Sequence, residues 1–415
     1  MLILDFLYVV LLLFTFPFWA KYIFKKKYRR LLKDRLRPQL PPRGDASVWI
    51  HAVSVGEVRS LKSLIQKLHD RRHQVVLSVT TPSGFDFARR EYPSLCVIHS
   101  PLDLSWTITH FIRSINPKLV IFNELEIWPN WISLLRKKRI PILLINGRIS
   151  ETAFSRYRFF NFFLRHFFRQ IDCFLVQNPI YKKRFLQLKI PAEKIIVCGN
   201  IKADEADRSL KQLPEKKEVL AHLRLEAMKK KVITLASSHS GSEKIVIPAI
   251  QALSANFFFI IVPRHVQRVA TIARQLERHG VRYSLFSESQ PMNAATQVLI
   301  YDRMGYLFPI ISITDIVFMG GTHDQKIGGH NLYEPAAMGK LILGGPYYNN
   351  FPDIGRELEE TGVYHQVNHS QELVDFAERY QDLNLEQINR KAVKAVLNRK
   401  GSLACTLEQI QRFIG

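Results

Sequence analysis

Acidic residues are scarce in this chain of 415 residues: 36 Asp and Glu stand against 59 Lys and Arg, a formal net charge of +23. An excess of that size points to an anionic partner, whether nucleic acid, an anionic membrane face or an anionic substrate, and says nothing about fold. Cysteine is scarce too. Cys96, Cys173, Cys198 and Cys405 are scattered and form no Cys-x-x-Cys pair. This excludes a zinc ribbon and argues against a disulfide frame, so reduced core thiols of a cytosolic domain are expected. No Gly-Lys-Ser/Thr occurs, which excludes a Walker loop. No Gly-x-Gly-x-x-Gly follows the first strand-like run, which removes the dinucleotide fingerprint. No Asp-x-Asp is present either, and with it goes the usual carboxylate seat for a nucleotide-bridging metal. Neither a metal nor a cofactor is therefore expected.

What is present begins with a run from Leu2 to Ala20 that is almost wholly apolar, broken by Asp5, Thr15 and Pro17. As one helix it would reach about 28 Å, close to the hydrocarbon thickness of a bilayer. A basic block follows (Lys21, Lys25, Lys26, Lys27, Arg29, Arg30, Lys33, Arg35 and Arg37). With no basic region before the apolar run and no small-x-small cleavage site after it, residues 1–37 read as an uncleaved anchor with its juxtamembrane segment. The chain beyond it is then on the cytoplasmic side. Asp5 and Pro17 keep an interfacial helix as the alternative to a spanning one.

Beyond the linker around Pro38–Gly44, strand-like apolar runs alternate with stretches of helical length. The runs in the first half are 48–53, 75–79, 95–98, 119–122, 142–145, 173–176 and 195–198; Val58–Leu68 and Phe85–Arg90 are helical stretches between them. Strands alternating with helices imply a parallel sheet covered on both faces, with ligands at the carboxyl ends of the strands. The polar run at 206–230 reads as a linker between a first domain, 38–205, and a second, 231–415, which ends in helices.

The richest strand end is Gly320-Gly321-Thr322-His323-Asp324-Gln325-Lys326-Ile327-Gly328-Gly329-His330-Asn331-Leu332-Tyr333-Glu334. A buried strand leads into it and a helix is expected from Glu334. Its glycines let a ligand approach the backbone, and a helix start offers N–H groups to a phosphate. Glu334 is a candidate acceptor for a ribose diol. Other strand ends of the second half carry Ser238 and His239, then Pro263, Arg264 and His265, then Asp302 to Tyr306. In the first half, Glu57 opens a helix just after the first strand, where the helix dipole should hold its carboxylate ionised. It is a candidate general base, with helix capping as the structural alternative. Glu124 and Glu126 follow another strand, and two acids at such a position are costly unless paired or used. Arg148 is a candidate anion clamp or partner for one of them, and Lys202 follows the last strand of this half. Glu151–Gln170 reads as one helix rich in both Arg and Phe, which fits a membrane or lipid surface, with core packing as the alternative.

Two doubly wound Rossmann-like α/β domains facing a cleft, preceded by an anchor helix, suggest a two-domain glycosyltransferase. The residues also resemble a known family, the Kdo transferases of lipopolysaccharide synthesis. The resemblance runs from the N-terminal anchor to at least Asp353. His51-Ala-Val-Ser-Val-Gly-Glu57 is similar to that family's catalytic loop, in which the Glu accepts a proton. Glu124-Leu-Glu126-Ile-Trp-Pro-Asn130 matches its acidic Trp-Pro motif. Pro263-Arg264, Met304-Gly305-Tyr306 and Asn331-Leu332-Tyr333-Glu334 stand where the family contacts CMP. Two departures are visible: the family often has Glu at the position of Tyr306, and the glycine loop is one residue longer between Gly321 and Gly328. The resemblance implies a GT-B fold with the acceptor on the first domain and CMP-Kdo on the second. It implies metal-free, inverting transfer of Kdo to a lipid IVA-type acceptor at the bacterial inner membrane. Glu57 is then the base; Ser238, His239, Glu124, Glu126, Arg148 and Lys202 are additional site candidates. A transferase of the same architecture using another nucleotide sugar, and a non-catalytic module binding anionic lipid or nucleic acid, are the competing readings.

Overall fold

The computed structural model describes residues 2–15, 26–37, 47–288, 293 and 295–414. It divides the chain into two compact units, Met1–Glu205 with Lys400–Gly415, and Ala206–Arg399.

The first unit is built on a seven-stranded sheet. Its strands are β1 (Ser47–Ala52), β2 (Val75–Val79), β3 (Cys96–His99), β4 (Pro117–Asn123), β5 (Ile142–Gly147), β6 (Cys173–Val176) and β7 (Ile195–Val197). They lie in the order β3-β2-β1-β4-β5-β6-β7 and all pair in parallel. Alternation along each strand divides the apolar residues between two layers. Val48, Ile50, Leu119 and Ile121 pack into one core, and Trp49, Val120 and Phe122 into the other. Both faces are thus covered by helices, the condition a parallel sheet requires.

The second unit repeats the plan with β8 (Lys231–Ser238), β9 (Phe257–Pro263), β10 (Tyr283–Leu285), β11 (Val298–Ile300), β12 (Ile316–Met319), β13 (Leu341–Gly344) and β14 (Tyr364–Gln366). Their order is β10-β11-β9-β8-β12-β13-β14, again parallel throughout. Phe257, Phe259 and Ile261 enter one core; Phe258, Ile260 and Val262 enter the other. In both sheets the order of connection reverses at one place, β1/β4 in the first and β8/β12 in the second. A crevice opens there at the carboxyl ends.

Several expectations are corrected. The segment 206–230 is not an open linker, since helices Ile201–Lys211 and Lys216–Leu223 occupy most of it. Residues 400–415 do not belong to the second domain. Helix Ser402–Ile414 returns to the first unit, where Leu407 and Ile410 join its core. Asp204 receives the helix start, accepting from the Gly401 and Leu403 N–H groups at 3.0 and 2.9 Å. Cys198 and Cys405 are joined in a disulfide across this contact, 207 residues apart in sequence, with Cα atoms 5.6 Å apart. The expectation of reduced thiols fails for this pair because the fold, not local spacing, brings the two together. Cys96 and Cys173 are free.

The N-terminal helix is described over Leu2–Phe14 and would reach about 20 Å. Among the described residues no helix is long and apolar enough to cross a membrane. Residues 16–25 of the expected anchor, with Lys21 and Lys25, lie outside the described residues, whereas the basic block from Lys26 to Arg35 is part of helix Lys26–Leu36. Asp5 ties the helix to the first unit: its carboxylate accepts from the Ser105 N–H at 2.8 Å and from Asn130 Nδ2 at 3.1 Å. Phe6, Leu13 and Phe14 stay exposed. The expected single helix over Glu151–Gln170 is two, Glu151–Phe159 and Asn161–Phe168, broken at Phe160. Phe154, Phe167 and Phe168 are core, whereas Phe159, Phe160, Phe162 and Phe163 are exposed among exposed arginines, so core packing accounts for only part of the segment.

The entry to the glycine loop is sterically tight. A Cβ at Gly320 would stand 2.1 Å from the Ser237 carbonyl oxygen. That oxygen belongs to the adjoining strand and cannot turn aside. Gly320→Ala is expected to lower stability by on the order of 3 kcal/mol, read from the urea midpoint. Gly56→Ala is the contrast, because a Cβ there meets nothing nearer than Ser54 Oγ at 4.0 Å; equal midpoints would refute the steric argument.

Candidate active site

In the first unit the β1/β4 crevice gathers Glu57, Glu124 and Glu126. Helix Val55–Ser60 starts directly after β1, with Ser54 as its N-cap. The Glu57 carboxylate turns back over this cap. It accepts from the Val53 N–H at 3.0 Å and from Ser54 Oγ at 3.1 Å. No side chain caps the N–H groups of this helix, and the expected ionisation does not follow either. Burial, then the charge of Glu124 and, more weakly, of Glu126, pushes the carboxyl up to about 7 against the two hydrogen bonds. A carboxyl poised there can exchange a proton near neutrality.

Glu124 behaves in the opposite way. Its backbone is left-handed, at φ 62°, a costly conformation for a residue with a side chain. Arg148 Nε donates to it at 2.7 Å and Lys202 Nζ stands 3.7 Å away. Burial alone would raise this carboxyl, but the two cations outweigh it and hold Glu124 below the usual carboxylate range. Two acids in one crevice thus have their proton affinities pushed apart. The Arg148 partner expected from sequence is Glu124. Glu126 accepts from Trp128 Nε1 at 2.9 Å and lies 3.5 Å from His51 Nε2. Asn123, last in β4, is wholly buried with neither side-chain polar atom hydrogen-bonded.

In the second unit, loops after β8, β9 and β12 converge. Arg264 N–H donates to the Ser238 carbonyl at 3.2 Å, fixing the ends of β9 and β8 side by side. Ser238 Oγ donates to Glu243 at 2.9 Å; Glu243 is wholly buried and paired with Arg268. His239 meets His265 with ring centroids 6.0 Å apart, and its Nε2 lies 2.8 Å from Nε2 of His330 in the glycine loop. His330 was not singled out from sequence. The signal was a ring directly after Gly328-Gly329, at the strand end facing His239.

The helix after the glycine loop is only Tyr333–Ala337. So short a helix has little dipole, so its start offers a phosphate less than the sequence suggests. Leu332 and Tyr333 are wholly buried, so their side chains serve the core. Asn331 Oδ1 accepts from the Tyr333 N–H at 3.1 Å. Glu334 remains partly exposed at the loop's end, and Met304 is 60% exposed. Gly305, at φ 96°, has open space where a side chain would stand. The Tyr306 ring packs on Tyr301 and His222, centroids 5.8 and 4.1 Å apart, which leaves its backbone for any ligand. His323 is structural: its ring stacks on Phe318 and its Nε2 bonds the Val367 carbonyl at 2.7 Å. Among the described residues no group of three or more His, Cys, Asp and Glu side chains is arranged to hold a metal ion.

Two parallel α/β domains, each with polar strand-end loops at the point where its strand order reverses, make up a fold of the GT-B type. A solved glycosyltransferase from Rickettsia africae matches with TM-score 0.60 at 16% identity, covering 89% of this chain and 99% of that one. Residues 24–205 match the family model for 3-deoxy-D-manno-octulosonic-acid transferase (kdotransferase). The 3-deoxy-D-manno-octulosonic acid transferase of Chlamydophila psittaci is 32% identical over 371 residues, covering 86% of this chain and 84% of that protein. A bifunctional glycosyltransferase/methyltransferase of Fusobacterium nucleatum is also 32% identical, over 84% of this chain; the chain spans only 55% of its length. The chain belongs to the 3-deoxy-D-manno-octulosonic acid (Kdo) transferase family, and is a glycosyltransferase.

Proposed function

We propose that this protein transfers Kdo from CMP-Kdo to a lipid IVA-type acceptor, with Glu57 as general base. The observation that carries the reading is the Glu57 carboxyl, lifted to about 7 at the mouth of the first sheet while its neighbour Glu124 stays ionised. Glu57 removes the proton from an acceptor sugar hydroxyl as that oxygen attacks the anomeric carbon of Kdo; CMP leaves from the opposite face and the configuration inverts. Arg264, His239 and the polar groups around Asn331 receive the charge growing on the CMP phosphate. Glu334 takes the ribose hydroxyls. In this proposal neither the attack nor the departure uses a metal.

The acceptor is an anionic, acylated lipid, and the first unit offers matching chemistry. Phe159, Phe160, Phe162 and Phe163 are exposed beside Arg156, Arg158 and Arg165, a pattern suited to lipid phosphates and acyl chains. Phe6, Leu13 and Phe14 are further exposed apolar side chains, on the N-terminal helix. We place the protein on the cytoplasmic side of the bacterial inner membrane. The test is transfer from radiolabelled CMP-Kdo to a tetra-acylated lipid A precursor with a chelator present. Labelled lipid product is expected. No product from folded protein would reject this donor and acceptor; product only after divalent metal is restored would reject the metal-free step.

A further inference from the structure

His239 and His330 come from loops 91 residues apart, yet their rings lie nearly parallel, 13° between planes and 5.0 Å between centroids, with Nε2 atoms 2.8 Å apart. At that distance one ring nitrogen donates and the other accepts, so a proton lies between them. The fold makes room for this contact. Gly321 has φ 75°, and a Cβ there would stand 3.1 and 3.2 Å from the His330 ring. The groups facing His330 are Arg264, His239 and His265; those facing His239 are His265, Arg264, Arg268 and Glu243. Glu243, the single acid in that company, is already paired with Arg268 and bonded by Ser238. Burial first, then Arg264 and the neighbouring imidazoles, pulls His330 down to about 3, and burial likewise lowers His239. In the ligand-free protein the pair is therefore neutral at pH 7, on a surface built to attract an anion.

We propose that His239 and His330 form a proton-loading pair for the donor phosphate, taking up one proton from solvent as the phosphodiester arrives. The anion opposes the field of Arg264, the fixed cation facing both rings, and so favours a second proton on the pair. Imidazole and imidazolium then share the Nε2 contact, and the added positive charge faces the phosphate. No bond between heavy atoms changes: one N–H bond forms on an imidazole nitrogen, its proton comes from buffer acid or hydronium, and the conjugate base stays in solution. The inference rests on reading these loops as the donor site.

The test is calorimetric titration of the full-length protein with the methyl ester of CMP at pH 7.5, in buffers of different ionisation enthalpy. This ester carries a phosphodiester, like the donor, and no titratable proton of its own near neutrality, so any proton taken up belongs to the protein. Close to one proton per ligand is expected for the wild type. His239→Gln and His330→Gln are expected to bind about tenfold more weakly, with uptake lost. Cytidine, which lacks the phosphate, is expected to bring no proton. Binding of the ester without proton uptake, or unchanged uptake in both variants, overturns the pair's role and leaves the donor reading in place. Absence of binding by both the ester and CMP overturns the donor reading, and the pair's role with it.

Discussion

Glu57→Gln is expected to cut transfer by about a thousandfold and, above pH 7, to make the folded protein more stable. The loss of activity follows from the role proposed for the carboxylate, because an amide cannot accept a proton at neutral pH. The gain in stability follows from its cost. The folded carboxyl titrates at about 7 and the unfolded one near its ordinary 4.5. Between those values the folded state holds a proton that the unfolded chain has released, so stability falls as pH rises through the window. The gap corresponds to about 3 kcal/mol between its acid and alkaline ends. Glutamine keeps an oxygen for the Val53 N–H and carries no charge, so it escapes that loss. Thermal unfolding of both proteins at pH 5 and pH 9 reads the effect: similar midpoints in acid and a higher midpoint for the variant in alkali. The wild-type rate should meanwhile climb with pH and level off above about 7, as a base does once deprotonated. A variant that is active, or is the less stable protein at pH 9, contradicts the assignment of Glu57.

Arg148→Met is expected to destabilise the first unit by on the order of 3 kcal/mol at neutral pH. Most of that is the penalty of leaving Glu124 buried with only Lys202, 3.7 Å away, to oppose its charge. Glu124→Gln in the same chain should recover much of the loss, since no buried anion then remains to compensate. The pH dependence has the opposite sign to that of Glu57. The folded Glu124 carboxyl is held low, so its contribution is present above the unfolded value and disappears as pH falls through the folded one. The Arg148→Met deficit should therefore shrink in acid, where Glu124 protonates. Urea unfolding at pH 7 and pH 4 measures it. In addition, the rise of activity with pH should move to higher pH in Arg148→Met, because the guanidinium favours the charged form of Glu57. A deficit of equal size at both pH values would mean that Arg148 contributes packing alone.

The strands were legible where they are buried on both faces. Leu119, Val120, Ile121 and Phe122 form an unbroken apolar run, and such runs mark central parallel strands. The outer strands β10 and β14 were missed, because Tyr283-Ser284-Leu285 and Tyr364-His365-Gln366 are short and only partly apolar. The break at Phe160 has no Gly or Pro to announce it; tertiary packing of Phe154, Phe167 and Phe168 on one side sets it. At the site, Glu57, Glu124 and Arg148 could be named from their positions after strands. That Arg148 pairs with Glu124 depends on the β4 and β5 ends lying side by side. The ionisation of Glu57 was misjudged, since a dipole argument is local whereas burial and a second carboxylate are properties of the assembled crevice. His330 escaped notice for the same reason: its significance is a partner 91 residues away.

The return of helix Ser402–Ile414 has a consequence for how the molecule is made. The first unit is discontinuous in sequence and the second is an insertion within it. On the ribosome, the second unit has its whole sequence available while the first still lacks a helix that covers its Leu119–Ile121 face. The domain begun first is therefore the one finished last. Until that helix emerges, the nascent first unit exposes apolar surface, and its need for a chaperone should be greatest in that interval.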